Sequence, residues 1–150
     1  MTPAALQQYL HQHIPLSLAM QVSVLDVAPH QVVLGAPLAP NINHMGTVFG
    51  GSASTLAILA AWALLQTKLD GAGIAAHLVI QRNTMAYELP MAGSFTARSF
   101  IPTPEAWDAF TRMLQRKGRA RITAASVLEC DGRAAGHLEG EFVALAHAAA

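Results

Sequence analysis

Residues 43–65, NHMGTVFGGSASTLAILAAWALL, constrain the fold more than any other stretch, because a polar loop runs directly into a helix with apolar or small residues on every side. A helix of this kind is buried around its whole circumference. A curved sheet is the structure best suited to wrap it. The adjacent glycines Gly50 and Gly51 indicate that the backbone approaches another group closely at the start of the helix.

The rest of the chain supplies the strands for that sheet. Period-two alternation and turn residues predict strands at 20–27, 32–38, 73–87, 93–101, 119–130 and 134–146. Asp131 and Gly132 predict a hairpin between the last two strands, and the segment 88–93 is expected to join the middle two. Helices are predicted at 2–14 and at 103–118, the second with Thr103 as N-cap and Gly118 as its stop. Six strands in hairpins around one central helix indicate an α+β fold.

Length and composition limit the kinds of partner. A chain of 150 residues predicts one domain spanning 1–150, with an alanine-rich tail at 146–150 that is expected to fray. Hydrophobic residues make up 53% and charged residues only 12%, so we expect a homo-oligomer that hides further surface. The formal net charge of zero argues against a nucleic-acid partner.

The sequence indicates a cytoplasmic protein without a membrane span. Cys130 is the only cysteine, which excludes an internal disulfide and fits a reducing compartment. The strongly apolar run 56–65 has about half the length that a bilayer requires. The first residues lack both the basic start and the long apolar block of a signal peptide.

Two stretches of the sequence resemble known proteins. The loop before the apolar helix is similar to the hotdog-fold loop of phenylacetyl-CoA-type thioesterases, in which Asn and Gly precede His-Gly-Gly. The matching residues are Asn43, Gly46, Thr47, Phe49, Gly50 and Gly51. YELPMAG, at 87–93, is similar to the strand that follows the central helix in many hotdog proteins. GTVFGGS and AWDAFTRMLQRKGRARI resemble more closely the thioesterase-like domain that forms the carboxy-terminal half of YiiD proteins, where an acetyltransferase precedes it. The length of 150 residues leaves no room for such a partner, so we expect the hotdog domain alone.

The resemblance covers about 16–145 and implies a hotdog fold, in which a curved antiparallel sheet wraps a central buried helix. It also implies subunits that pair to extend their sheets, as a dimer or a dimer of dimers, with acyl thioester sites at the interface. The sequence departs from the phenylacetyl-CoA-type pattern at two points. Phe49 stands where that family has histidine, and Ile58 lies near the usual position of its aspartate.

Five residues are candidates for catalysis. The backbone amides of Gly50 and Gly51 could meet a thioester oxygen at the helix N-terminus, although close packing of helix on sheet would also require glycine. Asn43 could hold the carbonyl or the attacking water, or it could simply cap a turn. His44 is the only imidazole beside the motif and is our candidate base, with an exposed loop histidine as the alternative. The Thr55 hydroxyl could orient water, or it could bond back to the helix.

A second group of residues is expected to bind substrate. Its members are Gly46, Thr47, Phe49, Ser54, Arg82, Arg116 and Lys117. Arg82 could instead pair with Asp26, Glu88 or Glu141 on a solvated strand. Arg116 and Lys117 belong to a basic stretch, 112–121, that could meet the phosphates of coenzyme A or the acidic surface of acyl carrier protein. The alternative is the ordinary basic bias of a helix C-terminus.

These observations lead to three possible functions. The first is hydrolysis of acyl-CoA or acyl carrier protein thioesters by water, with neither cofactor nor metal. The second is a non-hydrolytic domain that binds acyl thioesters in fatty acid or polyketide synthesis. The third is a dehydratase, which ranks last because it needs a His and acid pair and the central helix offers no acid before Lys68.

Overall fold

One antiparallel sheet of six strands curves around a long helix in the computed structural model, which describes residues 1–147. The helices are α1 (Pro3–His13), α2 (Pro15–Ala19), α3 (Gly50–Gly71) and α4 (Ala106–Lys117). The strands are β1 (Ser23–Ala28), β2 (Gln31–Ala36), β3 (Ala76–Tyr87), β4 (Phe95–Phe100), β5 (Arg119–Cys130) and β6 (Arg133–Ala146). This confirms the predicted α+β arrangement of a curved sheet around a central helix.

The strand order is β1-β2-β4-β5-β6-β3, which leaves β1 and β3 at the edges. The hairpin at Asp131 and Gly132 is confirmed, with both residues at positive φ. The expected pairing of the two middle strands is wrong, because β3 pairs with β6 and β4 lies between β2 and β5. The amides of Glu88 and Leu89 both donate to the Ala135 carbonyl, so the chain leaving β3 remains tied to β6.

Ten of the 22 residues of α3 are buried, and its middle, between Ala53 and Leu65, is enclosed except along one side. Thr55, Ile58 and Trp62 are only half-buried, and their spacing places them on one face of the helix. On the opposite side, the Ser126 hydroxyl donates to the Ala57 carbonyl at 2.7 Å and ties the helix to the sheet. The prediction of burial on every side is therefore wrong for the Thr55–Trp62 stripe, which lines a groove that also includes Ile80 of β3 and Phe142 of β6.

Several predicted boundaries shift by a few residues. α2 was not predicted, and because of it the first strand begins at Ser23. Gln21, between the two elements, has a φ of 58°. α4 begins at Ala106 because a tight turn precedes it, in which the Ala106 amide donates to the Thr103 carbonyl. Gly118 ends α4 in the left-handed conformation, as predicted. The tail expected to fray lies outside the described residues at 148–150, whereas Ala146 still belongs to β6.

Candidate active site

The N-terminus of α3 is held by the loop before it and has no side-chain cap. The Phe49 amide donates to the Asn41 carbonyl at 2.7 Å, and the Ala53 amide donates to the Phe49 carbonyl at 3.0 Å. Within residues 1–147 the amides of Gly50, Gly51 and Ser52 have no hydrogen-bond acceptor. A helix start with unpaired amides carries partial positive charge and suits an anionic or developing negative oxygen.

The two glycines at this helix start face aromatic rings of the protein itself. A β-carbon on Gly51 would lie 2.8 Å from Phe49 Cζ, too close for a real contact. On Gly50 it would lie 3.5 Å from Tyr87 Cε1, which is an ordinary contact. The Tyr87 hydroxyl also donates to the Gly50 carbonyl at 3.3 Å. A side chain at position 51 would therefore have to displace the Phe49 ring, whereas a methyl group at position 50 meets no obstacle.

Asn43 organises the preceding loop with all of its side-chain groups. Its Nδ2 donates to Thr47 Oγ1 at 2.9 Å and to the Val48 carbonyl at 3.4 Å. Its Oδ1 accepts from the amides of Met45 at 2.8 Å and Thr47 at 3.1 Å. Gly46 takes a φ of 78° in the resulting turn. In this geometry the amide of Asn43 shapes the loop and has no free donor for a substrate.

Asn41, which was not among the predicted site residues, fixes the same loop from the protein interior. Its side chain is 2% exposed, and its Nδ2 donates to the carbonyls of Met20 at 3.0 Å and Pro37 at 2.8 Å. Its Oδ1 is buried without a partner in the described part of the chain. Because its own carbonyl accepts from Phe49, Asn41 is the buried anchor of the α3 start.

His44 lies exposed at the tip of the loop, next to an apolar rim. The exposed rim residues are Ile42, Met45, Phe49, Tyr87 and Leu89, with exposures from 43% to 73%. No hydrogen bond holds the His44 ring within the described residues, so the imidazole is free to turn toward a bound molecule. The rim places an apolar surface at the mouth of the helix.

The hydroxyls of the first helical turn bond back into the helix. Ser54 Oγ donates to the Gly51 carbonyl at 3.1 Å, and Thr55 Oγ1 donates to the same oxygen at 2.7 Å. Thr55 also lines an apolar groove of about 230 Å³ beside α3. The groove is lined by Ile14, Ser17, Thr55, Ile58, Leu59, Trp62, Ile80 and Phe142.

Three of the candidate residues lie away from this helix start. Arg82 is on the edge strand β3, with an 81% exposed side chain 3.9 Å from Glu141, which is one of the three partners considered for it. Arg116 and Lys117 are exposed in the last turn of α4. α4 begins beside the far end of α3, where Lys68 Nζ lies 4.7 Å from the Trp107 ring centroid. Lys68 is about 27 Å along the helix axis from Gly50.

A larger cavity of about 530 Å³ also lies at the far end of α3, around Lys68 and Trp107. Lys68 is already engaged there, since it donates to the Pro29 carbonyl at 3.2 Å as well as contacting Trp107. We place the candidate site at the Gly50 end because the unpaired amides are there.

The described residues offer one further arrangement of ionisable side chains, but no metal site. No group of three or more His, Cys, Asp or Glu side chains within 1–147 could hold a metal ion. A close His and acid pair does exist: His137 Nδ1 lies 2.6 Å from Glu88 Oε1, with both side chains more than half exposed. His137 alternates with the buried Leu138 along β6, so this pair lies on the outer face of the sheet and not on α3. No helix in 1–147 is long and apolar enough to cross a membrane.

The curved sheet, the central helix and its unpaired N-terminus define a protein of the hotdog-fold class. The chain belongs to the YiiD carboxy-terminal domain family: the family model described as "Putative thioesterase (yiiD_Cterm)" matches residues 3–146. Both the predicted fold and the predicted family are thereby confirmed.

Solved structures agree with this assignment. The chain is 28% identical to a protein of unknown function from Chlorobaculum tepidum TLS, over 97% of this chain and 98% of that chain, with a TM-score of 0.90. It is 27% identical to the "putative thioesterase" from Shewanella oneidensis, over 95% and 96% of the two chains, with a TM-score of 0.85. A thioesterase from Haemophilus influenzae shares only 11% identity, over 97% and 92% of the chains, and its TM-score of 0.79 shows the common fold alone.

The residues that sequence reasoning missed act through contacts between distant segments. Tyr87 belonged to the resembling segment 87–93, but its contact with Gly50 could not be foreseen. Asn41 gave no signal apart from its place in the loop. Ile58 and Trp62 gave a weak signal: they are four residues apart, which places both on one face of the helix.

Proposed function

We propose that this protein hydrolyses acyl thioesters of coenzyme A or of acyl carrier protein, with water as the nucleophile at the start of α3. The unpaired amides of Gly50 and Gly51 carry this proposal, because the apolar groove begins at Thr55, one helical turn away. The description of the family as a thioesterase family supports the same reaction.

Hydrolysis of a thioester needs only a polarised carbonyl group and a placed water molecule. Water adds to the thioester carbon, the carbonyl oxygen becomes an oxyanion, and the two glycine amides donate to it. The carbon–sulfur bond then breaks, giving a carboxylic acid and a thiol, and the proton lost by water ends on the thiol. Removing one oxyanion donor typically costs about a hundredfold or more in turnover.

The side chains near the helix start would then share the remaining tasks. His44 is the proposed proton acceptor, since its exposed ring is free to move. Asn43, Gly46 and Thr47 would hold the loop that carries it, and Phe49 would cover the reacting group. Ser54 and Thr55 would line the entry to the groove rather than activate water, because both hydroxyls already donate to Gly51.

A non-hydrolytic acyl-thioester binding domain is the second candidate. One observation favours it: the only ionisable residues of α3 are Lys68 and Asp70 in its last turns, and Ile58 lines the groove near the place where related enzymes carry aspartate. Such a protein would bind the acyl group without supplying a carboxylate to activate water.

We further propose that the protein forms a homodimer through β3. This 12-residue edge strand pairs with β6 on one side only, and Val79 is 54% exposed on it. A long unprotected edge is a template for pairing with another strand, and two copies joined at β3 would form one continuous sheet. The free, buried Cys130 fits a reducing compartment, and the cytoplasm is the proposed location.

A panel of acyl-CoA and acyl carrier protein thioesters, assayed by thiol release, tests the hydrolase. Wild type should turn over at least one substrate class, and Gly51→Val, which fills the space of the Phe49 ring, should abolish turnover. Tight binding of acyl thioesters with no thiol release across the panel would establish the binding-domain alternative instead. If the protein neither binds acyl thioesters nor releases thiol from them, both proposed functions are wrong.

A further inference from the structure

The apolar groove follows one face of α3 away from the proposed reaction site. Thr55, Ile58, Leu59 and Trp62 line it from the helix, and this spacing is that of a single helical face. Thr55 is bonded to the Gly51 carbonyl, so the groove opens within about 6 Å of the unpaired amides. Trp62 lies roughly 10 Å further along the axis. A chain whose carbonyl sits at the helix start can therefore run along the groove toward Trp62.

Trp62 forms a fixed wall at the far end of the groove. Its indole Nε1 donates to the Leu78 carbonyl at 3.0 Å, which ties the ring to β3. Its ring also stacks on Tyr9 of α1, at 6.4 Å between ring centroids and an interplanar angle of 13°. Because the ring is held from two elements, it cannot swing away without breaking both contacts.

The side chains that line the groove offer no hydrogen-bond donor to an occupant. The Ser17 hydroxyl donates to the Ile14 carbonyl at 2.7 Å, the Thr55 hydroxyl to Gly51, and the Trp62 N–H to Leu78. All three polar hydrogens of the lining side chains are thus already used. A carbonyl, carboxylate or hydroxyl oxygen on the occupant would be buried without a donor and would bind at least about fivefold more weakly.

The volume of the groove gives a scale for the length of the occupant. An apolar cavity of about 150 Å³ holds benzene, which has six carbons. On that scale, the groove of about 230 Å³ holds about nine carbons.

We propose that the apolar groove selects unsubstituted medium-chain acyl groups, of about eight to ten carbons, and that Trp62 is the residue that sets this limit. The inference rests on the proposed acyl-thioester function for the position of the carbonyl. It adds the class of acyl group and the residue that discriminates among chain lengths.

Binding measurements on non-hydrolysable analogues test this apart from catalysis. The probes are S-(2-oxoalkyl)-CoA thioethers with chains of 4 to 16 carbons, roughly spanning the inferred length on both sides, titrated by calorimetry. Wild-type affinity should rise about fourfold for each added methylene and stop rising at about eight to ten carbons. The chain-length profile survives if the protein proves to bind without hydrolysing, so failure of the hydrolase proposal is distinguishable from failure of this one.

Two variants move the limit in opposite directions. Trp62→Ala should open the end of the groove and extend the rise in affinity to longer chains, while Ile58→Trp should fill its middle and favour short ones. Trp107→Ala, at the opposite end of α3, is the matched control and should leave the profile unchanged. If Trp62→Ala fails to fold, Ile58→Trp alone decides, because Ile58 is only half-buried. An affinity independent of chain length, or a profile that neither groove variant moves, would overturn the proposal.

Discussion

The ring of Phe49 occupies the space in which a side chain on Gly51 would have to lie. The neighbouring Gly50 faces the Tyr87 ring at a distance that leaves room for a methyl group. The two adjacent glycines are thus not equivalent, although the sequence presents them as a pair. One accommodates a ring from its own loop, and both leave their amides free at the helix start.

Gly51→Ala should therefore leave the protein less stable than Gly50→Ala, because both gain helix propensity but only the first must displace a ring. The added methyl group must displace the Phe49 ring, at a cost of about 1 kcal/mol, the low end for overpacking, because that ring is 57% exposed and can turn away. Thermal unfolding followed by circular dichroism measures both changes.

Removing the ring supplies the control for this prediction. In a Phe49→Ala background, Gly51→Ala should cost nothing and can even stabilise, because alanine favours a helix over glycine by up to about 1 kcal/mol. An equal loss of stability in both backgrounds would show that the ring is not the reason for glycine at this position.

Asn43→Ala should reduce stability as well as turnover. The substitution removes four hydrogen bonds that shape the loop, two donated and two accepted, and we expect a loss of about 1–3 kcal/mol in unfolding free energy. Asn43→Asp keeps both acceptor contacts and should lose less. Chemical denaturation gives the free energies, and thiol release well below the melting temperature gives turnover. An unchanged midpoint for Asn43→Ala would contradict the structural role that its contacts indicate.

The sequence was informative where a single element decides the outcome. α3, the stop at Gly118 and the hairpin at Asp131 follow from local periodicity and turn chemistry, and the structure agrees with each. The pairing of β3 with β6 depends on how all six strands are ordered in the sheet. Local sequence patterns contain no information about that order.

The candidate site divides in the same way. The loop motif and the helix start were visible in the sequence, because glycines and a polar loop before an apolar helix are local features. The contact between Tyr87 and Gly50 joins segments far apart in the chain, and so does the hydrogen bond from Asn41 to Met20. These contacts decide which atoms remain free for a substrate, and only the folded chain shows them.

His44→Gln should reduce turnover by about a hundredfold or more while leaving the melting temperature unchanged. The loss is that of a general base, and the stability should persist because the ring is exposed and makes no hydrogen bond within residues 1–147. His30→Gln is the matched control: it is an exposed turn histidine between β1 and β2, at the other end of α3, and both measurements should stay at wild-type values. Full turnover in His44→Gln would show that His44 is an ordinary loop histidine and that another group activates water.

Val79→Lys should dissociate the proposed dimer. A lysine on an edge strand opposes pairing with a second strand, and two copies joined at β3 would bring the added charges near each other. Light scattering at micromolar concentration should change from a dimer mass to a monomer mass. Leu25→Lys makes the same change on the other edge strand, β1, at a residue of similar exposure, and should leave the dimer intact. A wild-type protein that is monomeric at this concentration would rule out the interface outright.

The double substitution Arg116→Glu and Lys117→Glu tests whether the basic end of α4 receives the acidic part of the substrate. Both side chains are exposed at a helix end, so the fold should survive. Affinity for acyl carrier protein or for the phosphates of coenzyme A should fall, and its dependence on salt should flatten, because screened attraction between opposite charges is removed. The glutamine pair at the same positions should give an intermediate loss, since it neutralises the charges without reversing them. These residues precede Arg119, which pairs with Leu145 opposite His77 at the start of β3, so they lie toward the end of α3 that is far from Gly50. A positive result therefore implies that the substrate extends well beyond the helix start or that the partner subunit supplies this surface. If the double variant binds as tightly as the wild type at every salt concentration, Arg116 and Lys117 do not bind the substrate. They would then reflect only the ordinary basic bias of a helix C-terminus.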